Sequence, residues 1–242
     1  LYEQDYGLMQ GNIARLTRQL RQILEVRKSQ AGQLKLQASR TDLAQFVTQE
    51  MASFIPLAEQ KHCQLHVEVP QKQVWAWMDA DKVDKMLYNL VSNAIKYSHE
   101  GGNIWVTLKD NKGQATLTVR DEGIGISKDK RAKMFTRFLD GDYRRMGTTG
   151  TGIGLALTHD LVKLHHGTIN FKSEAGQGTI FTVTLPIKKS DYLPEELNLQ
   201  ALTAEAETDN DVTTGNESAT NATTPEHAIL VVEDNTDLLG LM

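Results

Sequence analysis

The stretch DKMLYNLVSNAIKYS, Asp84 to Ser98, constrains this chain more than any other. Val83, Met86, Leu87, Leu90, Val91, Ala94 and Ile95 recur at helical spacing and form one broad apolar stripe, so the segment reads as a helix laid on a core. Asn89, Asn93 and Lys96 fall at i, i+4 and i+7, on a neighbouring face. A solvated face draws on Glu, Lys, Gln and Ala, whereas asparagine favours caps and turns. Two mid-helix asparagines one turn apart point to a polar site that needs neutral oxygen ligands, against the plainer reading of a solvated stripe.

At 242 residues the chain can bury one large core or two small ones. A single cysteine, Cys63, excludes an internal disulfide framework and a cysteine zinc site, and fits a reducing compartment. No signal peptide is evident and no apolar run approaches the roughly 18 residues needed to span a bilayer, so a soluble fragment is expected. The net charge of -5 is unevenly placed. Residues 1–187 carry 24 Lys+Arg against 19 Asp+Glu, while residues 188–226 carry two lysines against nine acids. A mildly basic body suits a small polyanion such as a nucleotide. Without clustered Lys/Arg and interleaved aromatics it does not fit nucleic-acid binding.

Residues 2–28 read as one long helix in which Met9, Ile13, Leu16, Leu20 and Ile23 step by four and three, a helix-bundle seam. The seam is short, so it needs a partner helix, supplied by another subunit or a preceding segment; the alternative is a terminal helix lying on its own domain. Ala31 to Arg40 reads as a connector. An amphipathic helix follows, carrying Leu43, Phe46, Val47, Met51, Phe54 and Ile55, with Thr41 or Asp42 as N-cap. Strands are predicted at Gln64–Val69 and Val74–Met78, then Asp79 as the cap of the asparagine helix. Ile104–Lys109 and Ala115–Arg120 form a hairpin about Asn111-Lys112-Gly113. Ser127 can cap a short helix bearing Met134, Phe135 and Phe138, and Leu139–Gly150 reads as a mobile loop. A helix opened by Gly150-Thr151-Gly152-Ile153-Gly154 runs to about His166, and strands Thr168–Lys172 and Thr179–Leu185 flank Gly176-Gln177-Gly178. Pro186 ends the domain. Residues 188–226, almost without large apolar side chains, read as a disordered acidic linker. Ala228–Val232 then forms a buried-strand run leading to the paired acids Glu233 and Asp234.

Two motifs carry chemistry. Asp121 stands at a strand end with Gly123 and Gly125 after it, where the backbone can turn sharply and approach a flat ligand; a carboxylate there can accept from the exocyclic amine of adenine. Gly150, Gly152 and Gly154 open a helix whose N–H groups and dipole suit phosphate. Neither the P-loop nor the dinucleotide fingerprint is present. Each motif alone is weak, but Asn93, Asp121 and Gly150 follow one another at intervals of 28 and 29 residues.

Together NLVSNAIKYS, DEGIGIS, MFTRF, GTTGTGIGLAL and GQGTIFTVTLP resemble the ATP-binding catalytic domain of sensor histidine kinases, in the superfamily shared with gyrase, the Hsp90 chaperones and MutL. The resemblance covers roughly residues 60–187. It implies an α/β sandwich, a mixed five-stranded sheet with three helices on one face and ATP beneath a lid. It implies that Asp121 binds the adenine amine, helped by Gly123, Gly125, Ile126 and Thr179. Asn89 would ligate magnesium, Asn93 would sit against the phosphates, Lys96 would neutralise them, and Tyr97 would pack near ribose or phosphate. Gly150, Thr151, Gly152, Ile153, Gly154 and Leu155 would hold the phosphate chain, and Phe135 and Phe138 would anchor the lid, Leu139–Thr149. Transfer of the γ-phosphoryl then rests on positioning and charge neutralisation, with Asn89 and Lys96 as the catalytic pair.

By the same resemblance, residues 1–40 are the second helix and connector of a dimerisation and phosphotransfer hairpin, 41–187 the ATP-binding domain, and 227–242 the start of a receiver domain. The parent would then be a hybrid kinase, homodimeric and membrane-anchored through parts beyond this sequence, with this portion in the cytoplasm. Two departures stand out. No histidine of the seven sits in the H-E-x-x-x-P context of an acceptor, and Asp140 stands where relatives place an arginine, leaving Arg137, Arg144 or Arg145 for that role. Two rival readings remain: a non-catalytic nucleotide-sensing module, and an ATP hydrolase of the gyrase or MutL type. The hydrolases place a glutamate one turn before the first asparagine, where this chain has Lys85, which cannot act as a base while charged.

Overall fold

The computed structural model describes residues 17, 20, 23–136 and 152–198. Helix α1 (residues 23–30) ends in a Schellman turn: Gly32, at φ +64°, donates to Ser29 O, and Gln33 N–H donates to Lys28 O. Leu20 and Ile23 of the predicted seam face solvent, while Val26 is buried in the main core. Met9, Ile13 and Leu16 lie outside the described residues.

A five-stranded sheet, in the order β2-β4-β5-β7-β6, is the floor of the domain. Its strands are β2 (Gln64–Glu68), β4 (Asn103–Asp110), β5 (Gln114–Asp121), β6 (Thr168–Glu174) and β7 (Gly178–Pro186). β2 and β4 run parallel and the other pairs antiparallel, so the sheet is mixed, as expected. Alternation puts Ile104, Val106 and Leu108, then Ala115, Leu117 and Val119, then Phe181, Val183 and Leu185 on the buried face. Three helices supply the other layer: α2 (Leu43–Ala52), α4 (Ala80–Tyr97) and α6 (Gly154–Leu164), with the short α3 (Ile55–Gln60) and α5 (Lys128–Arg131) beside them.

The caps explain where the long helices begin. Asp42 accepts from the backbone N–H groups of Ala44 and Gln45, and Asp79 from that of Lys82. Ser127 precedes α5 but makes no side-chain cap, and Met134 and Phe135 fall in the turns after that helix, not within it. Nor does the glycine-opened helix start at Gly150: α6 begins at Gly154, with Ile153 as its N-cap.

Two segments depart from the sequence reading. The strand predicted over Val74–Met78 does not join the main sheet. As β3 (Trp75–Met78) it pairs antiparallel with β1 (Ser39–Asp42), so the connector contributes a strand of its own. The order of the body also continues past Pro186, through residues that read as linker. Trp77 N–H donates to Ile187 O, Tyr192 is buried with its hydroxyl on Pro186 O, and Ala38 bridges Leu197 in parallel. Residues 188–198 thus strap the connector to the body, through backbone bonds at Ala38 and a small apolar cluster in which Tyr192 and Leu197 pack with Leu36, Ala38 and Trp77, and so few apolar side chains are involved that composition concealed it. Among the described residues no helix is long and apolar enough to cross a membrane.

The strap gives a first prediction. Ending the chain at Ile187 lowers stability by about 3 kcal/mol, the loss expected for removing a buried aromatic ring; Tyr192→Phe, which deletes only one hydrogen bond, loses about 1 kcal/mol. Denaturant melts that coincide for all three chains would show the strap to be idle. A second concerns backbone crossings. A Cβ on Gly125 would collide with the Glu174 carbonyl oxygen, whereas one on Gly176 meets open space, and both residues have positive φ. Gly125→Ala should therefore destabilise by roughly 3 kcal/mol or more and Gly176→Ala by about 1, with equal losses counting against this geometry.

Candidate functional site

Helix α4 decides the site, because its length lets it touch both ends of it. Near its middle, Asn89 is buried among apolar neighbours, an arrangement that requires partners for its amide. Nδ2 donates to Gly154 O at 3.2 Å and to Thr158 Oγ1 at 3.3 Å, both on α6. The Asn89 side chain lies over Gly154, where an added Cβ would stand 3.2 Å from Oδ1. The first asparagine is therefore seated against the opening turn of α6.

At the C-terminal end of α4, Ser98 bridges Gly123 and the Ile124 N–H donates to Tyr97 O at 3.1 Å. Asp121, two residues earlier at the end of β5, belongs to the buried parity of its strand and is 6% exposed. Its Oδ1 accepts the Gly123 N–H at 2.9 Å, and Thr179, opposite it on β7, contributes a second backbone bond. Burial pushes the Asp121 carboxyl up to about 6, against the pull of those two bonds and of nearby His99.

Between these poles lie Asn93 and Lys96, both half-buried. Lys96 Nζ donates to Tyr97 Oη at 3.0 Å and stands 4.7 Å from the centre of that ring. Burial lowers the pKa of Lys96. A half-buried cation of this kind is favoured by an incoming polyanion, which restores the stabilisation that water gave.

The structure reassigns the glycines of DEGIGIS. A Cβ at Gly123 would strike Tyr97 O, one at Gly125 the Glu174 carbonyl, and one at Gly178 the Asp121 carbonyl. In this structure their lack of a Cβ lets α4, β5 and the β6–β7 turn pass one another closely. Ile126 is buried and donates its N–H to Ser173 Oγ at 2.8 Å. Ser173 also pairs with Thr179 Oγ1 at 3.0 Å and donates to Gly178 O. Phe135 stacks on His159 with centroids 5.1 Å apart and meets Phe171 edge-on. Gly152, at φ +66°, is exposed, Ile153 is buried and Leu155 is half-buried against the core. Gly150, Thr151, Phe138, Asp140, the lid Leu139–Thr149 and the three candidate arginines lie outside the described residues.

Sequence reasoning missed Thr158 and Ser173, which bind functional candidates across elements. Thr158 stands one helical turn after Gly154 and so shares its face, the only local trace of its contact. It also missed the partners of Lys85, whose ammonium bonds Glu25 of α1 and Asp81 of α4. Burial alone would lower the Lys85 pKa, but those two carboxylates outweigh it and hold it above the ordinary lysine value. The position that would carry a hydrolytic base holds a firmly protonated cation.

Comparison with known proteins shows what the chain is similar to. Residues 78–189 match the family of histidine kinase-, DNA gyrase B- and HSP90-like ATPases. The chain is 34% identical over 188 residues to the sensor histidine kinase TmoS of Ectopseudomonas mendocina, an alignment covering 77% of this chain and 19% of that protein. Among solved structures, full-length ShkA in complex with AMPPNP superposes with a TM-score of 0.63 at 25% identity, covering 72% of this chain and 36% of that one. The catalytic domain of histidine kinase ThkA shares the fold with a TM-score of 0.57 at 21% identity, covering 65% of this chain and all of that one. The chain spans only about a fifth of TmoS and 30% of the Bacillus subtilis kinase WalK. Residues 78–189 are a domain of the histidine kinase-, DNA gyrase B- and HSP90-like ATPase kind, similar to the ATP-binding catalytic domains of sensor histidine kinases.

Proposed function

We propose that this chain binds Mg-ATP along α4 and transfers the γ-phosphoryl to a histidine on a hairpin helix that its 242 residues do not include. One observation carries the reading. Asn89 is seated on the start of α6 and the Tyr97 carbonyl on the Asp121 loop, eight residues or about 12 Å apart along one helix. A carboxylate for a base amine and a helix start for phosphates thus stand about two turns apart along one rigid element.

In this reading Asp121 accepts from the adenine amine, with Gly123, Gly125, Ile126 and Thr179 shaping the base pocket. Gly150, Thr151, Gly152, Ile153, Gly154 and Leu155 present the opening of α6 to the phosphates. Asn93 and Lys96 lie between, Lys96 supplying positive charge, and Tyr97 packs beside ribose or phosphate. Phe135 supports the lid. A magnesium ion, when bound, neutralises phosphate charge and takes oxygen ligands, of which the Asn89 amide oxygen is the proposed one. No side chain here needs to be a nucleophile, since the acceptor imidazole brings its own. The protonated state of Lys85 argues against the hydrolase reading.

The wider assignment rests on resemblance. Residues 1–40 would belong to the dimerisation and phosphotransfer hairpin, residues 199–226 to a linker, and 227–242 to the opening of a receiver domain with Glu233 and Asp234 in its acidic pair. The partners would then be the protein's own hairpin in a homodimer and a receiver, in the cytoplasmic portion of a membrane receptor.

Incubated with Mg-ATP and a separately supplied hairpin bearing the acceptor histidine, the chain should label that hairpin while hydrolysing ATP negligibly by itself. ATP binding without labelling would instead identify a nucleotide-sensing module. Asp121→Asn should weaken ATP roughly ten- to hundredfold, the worth of a hydrogen bond to a charged group, and Lys85→Ala only a few fold. Similar losses in a binding titration would discredit both assignments.

The raised Asp121 pKa fixes the sign of a pH effect. Because the folded pKa lies above the unfolded one, burial costs nothing below the unfolded pKa, and the penalty on the charged form is complete above about 6. An amine donor stabilises that charged form, so bound ATP should pull the carboxyl midpoint below about 6. Carboxyl-carbon NMR of Asp121 with and without nucleotide checks this, and an unmoved midpoint would exclude the adenine contact.

A further inference from the structure

Ser98 is 5% exposed, and its Oγ is buried with no hydrogen-bond partner among the described residues. Of the same residues, the buried polar side chains Asp79, Asn89, Asp121, Thr158, His165 and Thr179 each hold at least one bond. A hydroxyl taken out of water without a partner costs free energy, so an orphan of this kind calls for a reason. Its place in the fold supplies one. Ser98 ends α4, its N–H donating to Ala94 O at 3.0 Å, and it bridges Gly123, whose own N–H donates to Asp121 Oδ1 at 2.9 Å. On either side of it, Tyr97 O accepts the Ile124 N–H, and His99 acts electrostatically on the Asp121 carboxyl. The orphaned hydroxyl therefore belongs to the Asp121 end of the site.

The other two hydroxyls at this end have committed their protons. Ser173 Oγ donates to Gly178 O at 2.9 Å, which uses its one proton, so in its 3.0 Å pair with Thr179 the donor must be Thr179 Oγ1. Of the three, Ser98 alone keeps a proton to give. A charged carboxylate only accepts, and Asp121 already takes backbone N–H groups from Gly123 and Thr179. It can meet the exocyclic amine of adenine, but the ring nitrogens that flank this amine are acceptors as well, and a carboxylate offers them nothing. We propose that Ser98 is a specificity-determining residue of the base site, its hydroxyl donating, directly or through one bridging water, to a ring nitrogen beside the amine that Asp121 accepts. This rests on the adenine reading of Asp121 and extends it from one point of recognition to two. Acceptor and donor then stand side by side, as the edge of the base requires.

The test uses the whole 242-residue chain and measures Kd for ATP, 1-deaza-ATP and 7-deaza-ATP, each with magnesium. In each analogue a C–H replaces one of the two ring nitrogens that flank the amine. The unmodified chain should bind one of them about three- to tenfold more weakly than ATP, as loss of one neutral hydrogen bond implies, and this identifies the nitrogen. Ser98→Ala should weaken ATP by about the same factor and leave the Kd of that analogue within about twofold, so that the discrimination disappears. Without nucleotide, the melting temperature of the alanine chain should stay level or rise, because the substitution removes an unpaired buried hydroxyl. Discrimination that survives in Ser98→Ala overturns the proposal, and so does an unmodified chain that binds both analogues as tightly as ATP. An alanine chain that melts lower without nucleotide, or fails to fold, marks a structural hydroxyl and overturns it too. Asp121→Asn separates the two levels. If it weakens ATP while Ser98→Ala keeps the discrimination, only the role of Ser98 falls. If it leaves ATP affinity unchanged, the adenine contact of Asp121 falls, and that of Ser98 with it.

Discussion

The seating of a polar amide between two apolar helices is the interaction on which this structure turns. Asn89 stands inside a helix whose other buried residues are Val83, Met86, Leu87, Leu90, Val91, Ala94 and Ile95, and a lone amide there would cost several kilocalories. Its bonds to Gly154 O and Thr158 Oγ1 remove that cost only if α4 and α6 pack in one register. The register in turn puts the glycine-bearing start of α6 beside the middle of α4. Small residues are needed where the helices meet, and Gly154 provides the space that the Asn89 side chain fills.

The far end of the same helix is fixed by different means. There the backbone of Tyr97 runs against Gly123, and the turn before β7 runs against Gly125 and Asp121, so three chain segments cross with no side chain between them. Such crossings are stiff, because nothing in them has a rotamer to change. They hold the Asp121 carboxylate in a dry setting, where burial disfavours its charge despite the two backbone donors it already has. Stiffness at both ends suits a site whose chemistry is positional.

A second polar hub ties the connector to these helices. Asp79 caps α4, bonds Lys82, and accepts the backbone N–H of Gln37, while its own N–H donates to His165 Nε2 at the end of α6. His165 Nδ1 donates to Leu161 O, and burial keeps the ring below the usual histidine range, hence neutral. The connector that follows α1 is thus held at Gln37 by α4 and at Ala38 by the strap. Glu25 and Ser29 of α1 add bonds to Lys85 and Asp160.

The sequence by itself determined which faces exist. Period 3.6 in α4 and period 2 in β4, β5 and β7 place each apolar face, and strand parity alone puts Asp121 on the buried side. The motifs carried the resemblance to an ATP-binding domain because their residue types and order are local properties. Tertiary structure alone decided which faces meet. The pairing of β1 with β3, the strap through Tyr192, the use of the DEGIGIS glycines for backbone crossings and the bond that Asn89 donates to Thr158 join residues far apart in the chain. No periodicity records such contacts, since a backbone hydrogen bond or a missing Cβ acts through proximity in space and leaves no repeating trace in the residues that make it.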